Sequence, residues 1–140
     1  GAHGKEMVPL ARFSSVRDEA LTDLLSEEEI RVIEQKTVDG GAEVVSLLKT
    51  GSAFSAPAAS IAQMVEAIVG DTRKVMSTSV YLEGEYGIED VFLCVPAALG
   101  AGGLIAVKEL DLDEHEMARL NASAGSVKAA VAEFKSSTRG

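Results

Sequence analysis

An α+β fold, with long helices packed on an antiparallel sheet, is what this sequence predicts, and three observations carry the prediction. Ser26 with Glu29, and Asp113 with Glu116, have capping-box spacing, and each pair heads a long stretch of three-and-four apolar spacing. Between those stretches the pattern changes to strand-like runs at 75–82, 91–95 and 104–110. Gly84-Glu85-Tyr86-Gly87 and Gly100-Ala101-Gly102-Gly103 separate the runs, so neighbouring strands are expected to pair antiparallel.

At the start of the chain His3 lies among Gly1, Ala2 and Gly4 and precedes the apolar Met7-Val8-Pro9-Leu10. Glycine lets the backbone pass close to a ligand, so the pattern suits a loop tip leading into a strand. Standing alone, these ten residues fit an ordinary chain end or a tag remnant better. Residues 10–16 read as a short strand with Arg12 and Phe13 on opposite faces, and Arg17-Asp18-Glu19-Ala20 as a polar turn.

Ser26 should open a long helix in which Ile30, Ile33, Thr37, Val44 and Leu48 keep helical spacing. Glu27, Glu28 and Glu29 place negative charge at its positive end, which reads as a helix start and not as an acidic site. Gly40-Gly41 inside that pattern costs about 1 kcal/mol per glycine relative to alanine. Close approach of another element is the expected offset; a break into two helices is the alternative. Thr50-Gly51-Ser52 ends the stretch, and Ala56-Pro57 opens a second helix, since proline's missing N–H is harmless in a first turn. Ala58, Ile61, Val65 and Ile68 form its expected buried stripe, and Gly70-Asp71 stops it.

After the strand runs, Asp113 should cap a final helix with Met117, Leu120, Ala124, Val127, Val131 and Phe134 on one side, packed on the sheet or on another subunit. Residues 136–140 are expected to be a disordered tail.

With 140 residues, 46% apolar and 25% charged, the chain suits one soluble domain. A net charge of -9, with thirteen scattered basic residues, argues against nucleic acid and anionic membrane partners. The single Cys94 excludes an internal disulfide, fits a reducing cytoplasm, and is expected to be buried. No signal-peptide pattern is visible, so export is not expected. Residues 91–107 carry no charge, yet a spanning helix needs about 20 apolar residues, and Pro96, Gly100, Gly102 and Gly103 interrupt this run. They read as two buried strands around a turn.

Other candidate chemistry fails on spacing. His115-Glu116 lacks a second histidine four residues on, so no zinc-protease pattern is present and His115 reads as an exposed first-turn residue. Gly100-Ala101-Gly102-Gly103 is followed by a strand and is no dinucleotide fingerprint. Ser52, Ser55 and Ser60 have no histidine in a nucleophile pattern. Glu83, Glu85, Glu89 and Asp90 fit no calcium loop and read as solvated turn carboxylates. No metal ligand set is expected.

Several long motifs occur in one order: Gly1-Ala2-His3-Gly4 with Met7-Val8-Pro9-Leu10; Gly40-Gly41-Ala42-Glu43-Val44-Val45; Lys49-Thr50-Gly51-Ser52-Ala53-Phe54 through Ala56-Pro57-Ala58-Ala59-Ser60; Ser79-Val80-Tyr81-Leu82-Glu83-Gly84-Glu85-Tyr86-Gly87-Ile88-Glu89-Asp90-Val91-Phe92; and Val95-Pro96 to Gly100 and Gly103. In these the chain resembles, nearly end to end, the C-terminal half of the NAD-dependent lactate and malate dehydrogenases, in particular the malate dehydrogenases that look like lactate dehydrogenase. The resemblance implies a C-terminal domain over residues 1–135, with the coenzyme-binding Rossmann domain outside these residues.

It also implies that His3 is the catalytic histidine, exchanging the proton of a 2-hydroxy acid while NAD takes the hydride. Ala53 would line the substrate pocket with Pro57 behind it, and a small residue at 53 leaves room for a dicarboxylate. The orienting aspartate and the carboxylate-clamping arginines would lie in the other half, which would also bind NAD; no cofactor-binding residue is expected here, and the isolated chain should be inactive. The implied partners are a 2-hydroxy or 2-oxo dicarboxylate, the coenzyme-binding domain and further copies in a homo-oligomer, in the cytoplasm. Lys5-Glu6 stands where the family usually has Asp-Thr or Asp-Ser, Arg17-Asp18-Glu19-Ala20 where it has a Gly-Ile-Pro turn, Ser55 where it has an aromatic, Ser77-Thr78 where Pro-Cys is common, and Cys94 where glycine is common. These departures leave two alternatives: a non-catalytic binding or oligomerisation module of the same fold, and the corresponding half of a dehydrogenase for lactate or another 2-hydroxy acid. A stand-alone protein sharing only the fold is a third.

Overall fold

The computed structural model describes residues 4–138, which divide into two compact units, 4–53 and 54–138. In the first unit a 3-10 turn, Gly4–Glu6, rests against the long helix described below, and a second 3-10 turn spans Ala11–Phe13. That second turn replaces the expected strand: the Leu10 carbonyl accepts the Phe13 amide at 3.1 Å and the Ser14 hydroxyl at 3.1 Å, which commits the backbone to a turn. Arg12 and Phe13 do not point to opposite faces, because the guanidinium lies over the ring, 4.6 Å from its centroid. Strands β1 (Ser15–Val16) and β2 (Glu19–Ala20) form a minimal hairpin whose two turn residues, Arg17 and Asp18, both have positive φ, 51° and 72°.

A short helix α1 (Leu21–Leu24) leads to α2 (Glu27–Leu48), whose start is as the sequence predicts. The Ser26 amide donates to Glu29 Oε2 at 2.9 Å, its hydroxyl donates to the same oxygen at 2.7 Å, and the Glu29 amide reaches back to Ser26 Oγ. Helix α2 is continuous through Gly40-Gly41, so no break occurs, and the close approach expected there is not found at Gly40, where a Cβ would meet open space. None of its side chains is fully buried; of the predicted stripe only Ile30 is half-buried, while Ile33, Val44 and Leu48 are exposed.

The second unit holds α3 (Ser55–Val69), the sheet strands β3 (Lys74–Glu83), β4 (Glu89–Gly100) and β5 (Gly103–Val107), and α4 (Glu114–Ser137). The sheet is antiparallel in the order β3-β4-β5, with a bulge beside Leu82 and another beside Leu99 that sharpen its twist. Strand β4 runs on past Val95 through Pro96 to Gly100, and β5 ends at Val107 where the sequence pattern continued to Leu110. The strands are not buried on both faces. Val80, Leu82, Val91, Leu93, Val95 and Ala97 alternate inward, and their neighbours Tyr81, Phe92 and Cys94 point out. Cys94 is therefore exposed rather than buried, an effect of strand parity at residue 94.

Helix α4 is capped by a reciprocal pair, the Glu116 amide donating to Asp113 Oδ1 at 2.8 Å and the Asp113 amide to Glu116 Oε2 at 2.9 Å. Leu120 and Ala124 enter the core, with Met117 and Val127 packed against it, whereas Val131 and Phe134 are exposed. Only the first part of the predicted stripe therefore reaches the sheet. The tail differs too: Ser136 and Ser137 continue the helix, and the Thr138 hydroxyl bonds to the Phe134 carbonyl at 3.0 Å.

Leu82 and Leu93 are the largest fully buried side chains, and burying each contributes about 1.5–3 kcal/mol.

Candidate functional site

His3 lies outside the described residues. Its neighbour Gly4 is described, with φ +67°, a conformation in which a side chain would be strained, so the glycine there is required by the turn that carries the Met7 amide to the Gly4 carbonyl at 2.9 Å. Ala53 is half-buried at the end of the first unit, after a tight reversal in which Lys49 and Gly51 have φ of 61° and 92°.

Pro57 stands in the first turn of α3, exposed, in the second unit. The first helical bond runs from the Ala58 amide to the Phe54 carbonyl at 2.9 Å, so proline's absent donor costs nothing. No side chain caps this helix start, and Phe54 beside it is 70% exposed. The predicted stripe of α3 is displaced. Ala58, Ile61 and Val65 are exposed, and the helix buries Ala67 with Met64 and Ile68 half-buried beside it.

His115 is exposed in the first turn of α4. Among the described residues no group of three or more His, Cys, Asp or Glu side chains could hold a metal ion, and no helix is long and apolar enough to cross a membrane. The sequence reading missed a groove of about 560 Å³ bounded by Tyr81, Asp90 and Phe92 from the sheet and Val127, Lys128 and Val131 from α4. Tyr81 and Phe92 are cross-strand partners with ring centroids 5.2 Å apart, and the Tyr81 hydroxyl donates to Asp90 Oδ1 at 2.9 Å. That bond to the carboxylate, with desolvation behind it, pushes the phenol above its ordinary pKa. Outward parity of Tyr81 and Phe92 in their strands was the available signal.

Helices α2 and α4 open on glutamates that would repel a pyrophosphate, and neither follows a strand and a glycine loop.

The chain matches the family described as lactate/malate dehydrogenase, alpha/beta C-terminal domain, over residues 1–138. A malate dehydrogenase of Roseiflexus sp. (strain RS-1) is 48% identical over 135 residues, covering 96% of this chain and 44% of that protein. The malate dehydrogenase of Bacillus subtilis (strain 168) is 49% identical over 128 residues, covering 91% and 41%. Among solved structures, the malate dehydrogenase of Salinibacter ruber superposes with a TM-score of 0.92 at 41% identity, over 96% of this chain and 44% of that one. The chain thus spans less than half the length of the relatives it matches.

Proposed function

The chain belongs to the lactate/malate dehydrogenase family, as its alpha/beta C-terminal domain, and from that premise we propose that it is the substrate-binding and catalytic half of an NAD-dependent malate dehydrogenase. The observation that carries the reading is the agreement, over 96% of the chain at close to half identity, with a protein named malate dehydrogenase.

In this reading His3 takes the hydroxyl proton of malate as the C2 hydride leaves, and returns it to the carbonyl oxygen of oxaloacetate in reverse. An imidazole suits both directions because its ordinary pKa lies near neutrality. Ala53 is assigned to the substrate pocket, its small side chain admitting a second carboxylate, and Pro57 is assigned a place beside the substrate in the same way, by resemblance. NAD, the hydride acceptor, belongs to a coenzyme-binding domain outside these residues, and so do the groups that orient His3 and clamp the carboxylates. The isolated chain is then inactive, and the complete protein is cytoplasmic.

Apolar side chains left open on α2, Val32, Val44, Val45 and Leu47, support partners for this helix. Interfaces between domains commonly bury about 600–1,500 Å², and in this reading the coenzyme-binding domain and further copies in a homo-oligomer cover such surfaces.

The reading frame upstream and an assay test this together. About 150 residues containing a strand, a Gly-x-Gly-x-x-Gly turn and a helix, with malate-dependent reduction of NAD by the complete protein, are expected. An upstream frame without that fold, or a complete protein that reduces NAD only with a monocarboxylate such as lactate, contradicts it.

A further inference from the structure

We propose that Asp71 is a positioning residue for Pro57 beside the substrate, acting by pinning the far end of α3 to the β4–β5 turn. The inference rests on the reading above that Ala53 and Pro57 border the substrate.

Within its own unit, helix α3 is held mainly at one end. From Ser55 to Gln63 every residue is exposed, and burial begins at Met64 and culminates at Ala67, which is 1% exposed. One long contact, the Lys74 ammonium donating to Gln63 Oε1 at 3.4 Å, links its middle to β3. Within residues 54–138, the turn bearing Pro57 is therefore carried by the seating of the last two turns.

At that seat the chain leaves the helix through Asp71, whose φ is 46°. Its Oδ1 accepts the Ala101 amide at 3.0 Å. Ala101 lies between the paired Gly100 and Gly103, at a position in the hairpin turn where no strand partner is available. Gly100 makes the contact possible: a Cβ there would lie 2.5 Å from Asp71 Oδ1 and 2.7 Å from Ile105 Cδ1. A side chain at 100 would force the Asp71 carboxylate and the end of the Ile105 side chain to move. Arg73, 4.0 Å from the other carboxylate oxygen and exposed, adds little.

The lever is long. Twelve helical steps run from Pro57 to Val69, the end of α3, roughly 18 Å at the helical rise, so a tilt of about 5° at the seat moves the far end by about 1.5 Å. Displacements near 1 Å are enough to cost an enzyme up to about 10²-fold.

The test uses the complete two-domain protein. Asp71→Ala is expected to raise the KM for oxaloacetate about five-fold or more, Gly100→Ala to reproduce that from the other side, and Asp71→Asn, which keeps an acceptor oxygen, to stay within about twofold of wild type. Ala53→Leu is measured in parallel and should raise the KM by filling the substrate pocket itself. If Ala53→Leu leaves the KM unchanged, the substrate lies elsewhere, and the reading of Ala53 and Pro57 fails together with this proposal. If Ala53→Leu raises it while Asp71→Ala and Gly100→Ala lower only the melting temperature, Asp71 is a structural tie and the proposal alone is overturned. Should Asp71→Ala not fold, Gly100→Ala decides by the same KM criterion.

Discussion

The hydroxyl of Tyr86 donates to the carbonyl of Lys108 at 3.2 Å and replaces a ladder bond that the sheet cannot make. Ala97 pairs with Val107, which puts Pro96 opposite Lys108; the Lys108 amide donates to the Pro96 carbonyl at 2.8 Å, and proline has no N–H to return. Proline in the middle strand of a sheet is unusual, and this substitution of a side chain for a strand partner explains it here. The same hydroxyl accepts the Leu110 amide at 3.0 Å, and the Tyr86 amide, at φ 56°, donates to Glu109 Oε2 at 2.6 Å. Three bonds thus tie the β3–β4 turn to the segment that leads into α4.

Replacing Tyr86 by Phe leaves the Leu110 amide and the Lys108 carbonyl without that partner at a part-buried site. The expected cost is about 1–3 kcal/mol of unfolding free energy, read from urea titration. Burial is the main cause that raises the Tyr86 phenol above its ordinary pKa of 10.0. Because the folded value is the higher one, the contribution tied to the protonated phenol is complete below about pH 10 and is lost as pH rises through the folded value. Wild type should therefore weaken above pH 10 more steeply than Tyr86→Phe; equal slopes count against burial of the phenol in the folded state.

Ser26→Ala removes the side-chain half of the α2 capping box and should cost about 1 kcal/mol, within the usual 0.5–2 kcal/mol for such caps. Glu29 is held below its ordinary pKa, first by the Ser26 amide and then by the Ser26 hydroxyl. A lowered folded value means that its contribution is present above about pH 4.5 and fades as pH falls through the folded value. Thermal melts at pH 3 and pH 7 should show a smaller acid loss for Ser26→Ala. Identical losses would mean that the cap does not couple to Glu29.

The isolated chain should bind NADH weakly or not at all, since its sequence holds no Gly-x-Gly-x-x-Gly turn opening a helix and α2 and α4 open on glutamates. Calorimetry with the purified chain measures this, and a micromolar dissociation constant would reveal a coenzyme site that the reading lacks.

Local rules were the legible part of the sequence. The capping boxes at Ser26 and Asp113 carry their own spacing, and the turns at Gly84 to Gly87 and Gly100 to Gly103 carry their glycines, so both helix starts and the antiparallel order could be read directly. Faces were harder. Helical spacing in α3 permits two adjacent stripes, and only the seat against the sheet selects Met64, Ala67 and Ile68 over Ile61 and Val65. Residue 94 was misjudged because an apolar run in a strand hides parity when both faces are apolar. Strand β4 passes through Pro96 because Tyr86, ten residues earlier, supplies a missing partner, a long-range relation with no local signature. Of the candidate site, the sequence motifs reached His3, Ala53 and Pro57 by resemblance, while Asp71 was legible only as a helix stop.

The central claim is tested most directly by His3→Asn in the complete two-domain protein, with malate oxidation and oxaloacetate reduction followed from pH 5 to 9. Loss of a general acid-base group should lower turnover by roughly 10²–10⁴ while folding and coenzyme binding persist, and wild type should show an inflection from a group titrating near neutrality that the variant lacks. A wild type without that inflection, together with an asparagine variant that turns over equally fast, would contradict the account and favour a non-catalytic module.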